Sequence, residues 1–226
     1  SNWDVSRVTD MSNMFHNARC FNTDISNWDV SRVTIMSGMF YEARSFNGDI
    51  SNWDVAQVTN MAGMFSSASS FNSDISNWDV RRVTDMSDMF FEATSFNGDF
   101  SNWDVSRVTN MGMMFAGATS FNGDISNWDV SQVTNMNGMF YGATSFKRIL
   151  CGAAWVSSGA RKQVMFNGSP GSISNSPCTT TTGTNVDACL SVMCVCGGRG
   201  RGAHTHISAA HTHTHFCRTL TLTHLC

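Results

Sequence analysis

The chain has 226 residues, a formal net charge of −3 and 42% hydrophobic residues, which is a globular rather than a disordered composition. Near-neutral charge without a basic block excludes the electrostatic footprint of a nucleic-acid-binding protein. No apolar run reaches the roughly 18 residues of a transmembrane helix, so the sequence predicts no membrane span. The chain starts at Ser1, inside a repeat and without methionine, and we interpret it as a fragment.

A 25-residue unit recurs six times from the start of the chain. Tryptophan marks each unit at Trp3, Trp28, Trp53, Trp78, Trp103 and Trp128, and a Met-Phe pair recurs with the same spacing. Constant phase without insertions indicates one supersecondary unit stacked on itself. The sequence therefore predicts an α/β repeat over residues 1–146, a leucine-rich-repeat-like solenoid of about six coils.

Within each unit, the constant apolar positions predict local structure. The first unit carries them at Val8, Met11, Phe15 and Ala18. Steps of three and four residues are typical of one helix face, and Thr9 precedes them as a candidate N-cap. We therefore expect a short helix or a pair of helical turns at residues 10–18. The segment FNGDISNW predicts a turn followed by a short strand.

The pattern changes after Phe146. Residues 147–178 keep a tryptophan and a Met-Phe pair out of phase, which predicts a degenerate C-terminal capping coil. Cys151 and Cys178 bracket this coil, and a disulfide bond between them would hold it closed. Residues 179–226 have low complexity, and we expect a disordered tail there.

The phrase SNWDVSxVTNMxxMFxxATSFNGDI resembles the repeat of BspA-like surface proteins, which are grouped with the leucine-rich-repeat solenoids. The resemblance covers Ser1 to about Phe146, and the following residues up to Cys178 resemble the C-terminal coil of that family. It implies an extracellular or cell-surface solenoid used in adhesion or protein binding, with no catalytic residues. We therefore expect an unknown protein or glycan as the partner and no nucleic acid.

Two columns of aspartates recur with the repeat. One begins at Asp4, and the other contains Asp24, Asp49, Asp74, Asp99 and Asp124. Stacking would place such carboxylates about 4.8 Å apart, where two charges repel by about 0.9 kcal/mol in water. Either each aspartate caps a turn by accepting backbone hydrogen bonds, or the column of five binds calcium.

Other recurring or variable side chains are candidates for a binding surface. Arg7, Arg32, Arg82 and Arg107 form a basic column that either pairs with the acidic columns or binds an anion or glycan. Aromatic rings recur at position 16 of the unit as His16, Tyr41, Phe91 and Tyr141. They form a partner-binding strip or are partly buried against the neighbouring unit. Asp10 and Asn13 also occupy variable positions.

The methionines of the repeat predict core packing, because methionine fills irregular gaps and contacts aromatic rings well. The repeats contain no recurring pair of nucleophile and base and no phosphate-binding loop, so we expect no enzyme and no cofactor. The function predicted from the sequence is adhesion, or protein or glycan binding, at the solenoid surface. The alternative is a calcium-binding solenoid module.

Overall fold

The computed structural model describes residues 3–178, so the predicted tail at 179–226 lies outside the described residues. Regular elements in the described part are confined to its C-terminal end. They are strand β1 at Ile149–Leu150, helix α1 at Ala153–Ser157 and strand β2 at Ser172–Ile173, which pairs with β1 in parallel. Across the described residues, no helix has the length and apolarity that a membrane crossing requires.

Successive units lie side by side in parallel register. Single parallel bridges join equivalent residues of neighbouring units, at Asp10–Ile35, Ile35–Asn60, Asn60–Asp85, Asp85–Asn110, Asn110–Asn135 and Asn135–Arg161. The last bridge reaches the degenerate unit, so this unit continues the same stack despite its altered sequence.

Residues 10–18 and their equivalents form turns, and the predicted helix is wrong. The Met14 amide donates to the Met11 carbonyl at 3.2 Å. This bond spans three residues, as in a β-turn, rather than the four of an α-helix. Asn13 and Asn17 have positive φ angles of 58° and 61°. Those angles interrupt a right-handed helix.

The remaining amides of these turns bond to the next unit. Alternate residues of the first unit donate their backbone amides to carbonyls of the second unit, at 2.7 to 3.0 Å. The donors are Met11, Asn13, Phe15 and Asn17. The same pattern recurs in every unit, and in the sixth Phe140 donates to Met165 of the degenerate unit at 2.9 Å. The backbone is thus satisfied by turns and by neighbours, which removes the need for a helix.

Side chains extend the bonding between units. Asn22 Oδ1 accepts from the Asn47 backbone amide at 2.9 Å, and equivalent bonds recur at each later unit. The FNGDISNW segment contains no strand in the described units. The amide and the hydroxyl of Thr34 both donate to the Thr9 carbonyl, at 2.8 and 3.0 Å. Thr9 therefore joins neighbouring units instead of capping a helix.

Constant apolar residues fill the interior. Val33, Met36 and Met39 have no exposed surface, and their equivalents in later units are similarly buried. Phenylalanine rings stack from unit to unit; the Phe40 and Phe65 centroids are 5.6 Å apart with nearly parallel planes. The predicted methionine packing is therefore present in the core. Each inner residue packs between its own equivalents on both sides.

Each tryptophan from the third unit onward bonds to an earlier unit. Trp78 is 4% exposed, and its indole Nε1 donates to the Ile50 carbonyl at 3.1 Å. Equivalent bonds are made by Trp53, Trp103, Trp128 and Trp155. Nε1 of Trp28 is buried without a partner among residues 3–178. Trp3, expected in the core, is 63% exposed.

The degenerate unit at 147–178 packs onto the sixth unit. Helix α1 carries Trp155, which still reaches the Ile125 carbonyl at 3.0 Å although the helix places it later in the unit. Cys151 and Cys178 form a disulfide bond with a Cα–Cα distance of 5.0 Å. This distance is ordinary for a disulfide. The last unit is therefore held by its core contacts and by a covalent bond.

We expect Trp78→Phe to destabilise the stack by about 0.5–1.5 kcal/mol, because it removes one of the two hydrogen bonds that the buried Ile50 carbonyl accepts; the other comes from the Trp53 amide at 3.2 Å. Trp28→Phe is the matched control, since it removes the same indole N–H at a position where no described partner accepts from it. Differential scanning calorimetry of the two variants measures the difference. Equal losses of stability would contradict a bonding role for the indole.

Candidate ligand-binding groove

A surface groove of about 480 Å³ crosses the first four units. It lies where two variable positions of the unit carry small residues in the second and third units. The thirteenth position carries Asn13, Gly38, Gly63 and Asp88, and the sixteenth carries Tyr41, Ser66 and Phe91. Small residues in the second and third units leave the space, and larger side chains border it.

The turn conformation explains which residues form this groove. Gly38 and Gly63 have φ angles of 60° and 62°, the left-handed conformation that glycine adopts without strain. Asn13 and Asp88 adopt the same conformation, with φ angles of 58° and 56°. Asparagine and aspartate are the other residues that tolerate it best. Along the groove the column therefore carries either no side chain or a short polar one, whereas the fifth unit has Met113 in the same conformation, with a φ angle of 55°.

The structure brings together some of the predicted aromatic residues. Tyr41 and Phe91 are half-buried and border the groove. The His16 ring stacks on Tyr41 with centroids 4.6 Å apart, and its Nδ1 lies 3.2 Å from Asn13 Oδ1. Tyr141 is 48% exposed and lies outside the groove. The predicted strip is thus divided into a groove cluster and one separate ring.

Asp88 is the carboxylate of the groove. It is half-buried, and its side chain makes no hydrogen bond or ion pair with any residue that the structure describes. Burial raises the pKa of Asp88, and the neighbouring Asp85 carboxylate raises it further. A partly desolvated charge without a partner costs stability. The positive φ angle accounts for a short polar residue at this position, but it does not account for the charge.

Ser66 is the polar residue buried most deeply beside the groove. It is 2% exposed, and its side chain lines the groove, where its hydroxyl can bond to a ligand that enters.

The arginine column does not take part in the groove. Arg7, Arg32, Arg82 and Arg107 are exposed, and the structure shows no ion pair between them and an acidic residue in the described part. Arg82 instead donates to Gln57 Oε1 at 2.7 Å. The ion pairs that are present use Glu42 and Asp79 as acids. Ion pairing with the acidic columns, one of the two alternatives for this column, is therefore not present among residues 3–178. Anion or glycan binding by the column stays a prediction.

The aspartate columns cap turns. Asp24 Oδ1 accepts from the amide of Ser26 at 3.0 Å and from its hydroxyl at 2.7 Å. The backbone N–H and the hydroxyl of Ser26 lower the pKa of Asp24. Equivalent backbone bonds are accepted by Asp49, Asp74, Asp99 and Asp124. Asp10, in a variable column, caps Ser12 in the same way.

The predicted calcium ligands also line two shallow depressions. One, of about 410 Å³, contains Asp74 and Asp99, and the other, of about 290 Å³, contains Asp99 and Asp124. Within residues 3–178, no cluster of three or more His, Cys, Asp or Glu side chains is arranged to hold a metal ion. Calcium binding by this column stays a prediction.

Sequence reasoning missed Gly63, Ser66 and Asp88 as a group. Their signal was present in the variation of two columns, since glycine at position 13 of several units indicates a positive φ angle. The sequence does not show that positions 13 and 16 of neighbouring units face the same space, because this depends on the geometry of the turns.

The fold and the groove define a repeat protein with a preformed surface cavity. The chain matches the family model described as "Mycoplasma protein of unknown function, DUF285" over residues 1–93 and 71–176. These overlapping segments cover more than half of the chain, and the chain belongs to this family of repeat proteins. No curated protein and no solved structure matches it.

We expect Asp88→Asn to raise the melting temperature at pH 7. The raised pKa means that the ionised carboxylate costs stability above the ordinary value of 3.8, and that this cost disappears at lower pH. Asparagine keeps the shape and tolerates the positive φ angle. The gain should therefore be absent at pH 3, as calorimetry at both pH values will show.

Asp74→Asn is the control of opposite sign. Hydrogen bonds from Ser76 lower the pKa of Asp74, so its charge stabilises the fold above pH 3.8 and this stabilisation is lost as the pH falls. This variant should melt earlier than the unsubstituted chain at pH 7. A lower melting temperature for Asp88→Asn at pH 7 would show that its carboxylate has a structural role.

Proposed function

We propose that the chain is a leucine-rich-repeat-like solenoid of the BspA-like type, and that it binds a protein or glycan ligand outside the cell. The observation that carries the proposal is the groove between Asn13 and Asp88. Apolar residues constant among the units are inside the stack, whereas the groove is formed by positions that change from unit to unit. A stable frame with variable surface positions is the usual design of binding repeats.

The chemistry of the groove supports recognition rather than catalysis. It presents a carboxylate, a side-chain amide and a hydroxyl beside the rings of Tyr41 and Phe91. A few polar groups among apolar ones are typical of binding sites, and a volume of about 480 Å³ lies within their usual range. We therefore propose a non-enzymatic function.

The groove is also preorganised. Gly63 and its neighbours lie on turns whose amides bond within the unit or to the next one; the Gly63 amide donates to the Ser87 carbonyl at 2.8 Å. A rigid site loses less conformational entropy when it binds. Preorganisation therefore favours affinity from a modest surface.

The extracellular location is supported by the Cys151–Cys178 disulfide bond. Such bonds form and persist mainly in oxidising compartments, including the cell surface and the extracellular space. A location at the surface or in secreted form agrees with adhesion as the biological role. We propose it on this basis together with the resemblance of the repeat.

A calcium-binding module is the alternative proposal, and the paired aspartates in the two depressions favour it. Calcium requires six to eight oxygen ligands, more than two carboxylates supply, so asparagine oxygens and water would have to complete each site. Thermal melting with and without millimolar calcium distinguishes the proposals. A rise in the melting temperature that Asp99→Asn abolishes would support the alternative.

Filling the groove should abolish binding. Gly63→Asn adds a side chain in a conformation that Asn13 already adopts in the same column, so the fold is retained. We expect binding to a glycan array or to a displayed random-peptide library to weaken at least tenfold. Gly142→Asn is the matched control. Gly142 lies outside the groove, and Asn17 shows that asparagine adopts the same positive φ angle at this position of the unit.

Calorimetry should give similar melting temperatures for both variants. Selected ligands that bind Gly63→Asn as well as the unsubstituted chain would contradict the proposed site. Absence of any bound probe in both screens would contradict the binding function.

A further inference from the structure

We propose that the groove accepts a cationic side chain, lysine or arginine, presented by an extended segment of a partner protein. The inference rests on the proposed function of the groove as a binding site and adds the chemistry of its ligand. It is carried by the unpaired carboxylate, by the alignment of hydrogen-bond acceptors and by the two aromatic rings.

The charge of the groove favours a cation. Asp88 is half-buried without a counter-ion among the described residues, and Asp85 adds a second negative charge nearby. The Asp85 carboxylate is oriented by the amide of Ser87 at 2.9 Å, so it does not turn away to relieve the repulsion. A cation entering beside Asp88 would supply the missing partner. An anionic or neutral ligand would leave the carboxylate uncompensated.

Hydrogen-bond acceptors of the groove also suit a cationic group. Gly38 lacks a Cβ, and an added Cβ there would collide with Oδ1 of Asn13, so this oxygen lies over the glycine at the edge of the groove. The Ser66 hydroxyl and the Asp88 carboxylate offer further acceptors. Ammonium and guanidinium groups are donors only, and they match these acceptors. Asn13, Ser66 and Tyr41 can also donate, so the group of the lining that selects a cation is the Asp88 carboxylate.

Two aromatic residues of the groove favour the same kind of ligand. Tyr41 and Phe91 come from the second and fourth units and flank Ser66 of the third. Aromatic faces attract cations, and the apolar stems of lysine and arginine pack well against rings. The volume of about 480 Å³ exceeds what one side chain fills, which leaves room for the backbone of the segment that presents it.

The test uses a fluorescent hexalysine peptide, its fully Nε-acetylated form and a hexaglutamate peptide. Titrations are followed by fluorescence anisotropy and by amide chemical shifts of the ¹⁵N-labelled chain. We expect hexalysine to bind, with shifts centred on Gly38, Gly63 and Ser66. Acetylation removes the charge and should weaken binding at least tenfold.

Asp88→Asn should weaken hexalysine binding at least tenfold while the protein stays folded. Asp129→Asn is the control with the same change in net charge, because Asp129 caps Ser131 outside the groove. Equal weakening by both variants would indicate only general attraction to an acidic protein and would overturn the proposal. Equal binding of hexalysine and its acetylated form would also overturn it.

The screens separate this proposal from the proposed function. Ligands whose binding is lost in Gly63→Asn but kept in Asp88→Asn, such as neutral glycans, would support the groove as a binding site. They would overturn the proposal that its ligand is a cationic side chain. Ligands that Gly63→Asn does not affect would overturn both. Selected peptides enriched in lysine or arginine, with affinity lost in Asp88→Asn, would support both.

Discussion

Alternate backbone amides of the turns at residues 10–18 donate to the next unit, and the rest of the structure depends on this pattern. The bridged residues are 25 apart along the first six units, and the step of 26 to Arg161 of the last unit spans helix α1. Where no such element intervenes, a shift of one residue would break the bonds at that junction. The pattern also requires positive φ angles at residues 13 and 17 of the unit. That requirement restricts the thirteenth position mainly to glycine, asparagine and aspartate, and thereby produces the floor and the polar edges of the groove.

The same constraint separates stability from binding. An inner residue such as Met36 or Phe40 packs between its own equivalents on both sides, so a change in one unit would misfit with two neighbours. Outer positions that cap no turn and bond to no neighbouring unit have no such restriction and vary between units. Asp88 is the residue that violates the local rules, because it is half-buried and charged without a partner, and residues that break such rules are expected at functional sites. Its cost to stability and its proposed role in binding both come from this unpaired, half-buried charge.

The repeat period, the buried columns and the change at Phe146 were predictable from the sequence, because burial of Val33 or Met36 requires an apolar residue in every unit. The helix was mispredicted because successive turns also bring apolar residues three and four positions apart to one side. Gly38, Gly63 and Gly138 at one position indicated positive φ angles, and this signal was outweighed by the periodicity. The groove was not predictable, since it depends on which neighbouring units carry small residues and on which columns meet at the surface.

Deletion of one complete unit tests the central claim most directly. Removing residues 101–125 joins Phe100 to Ser126 in phase and leaves the groove intact. Removing residues 101–124 differs by one residue and shifts the register of everything that follows. The account predicts that the first variant melts cooperatively at a modestly lower temperature, whereas the second loses the structure of its C-terminal units. Equal melting behaviour of the two deletions, measured by calorimetry, would contradict a stack held in register by bonds between units.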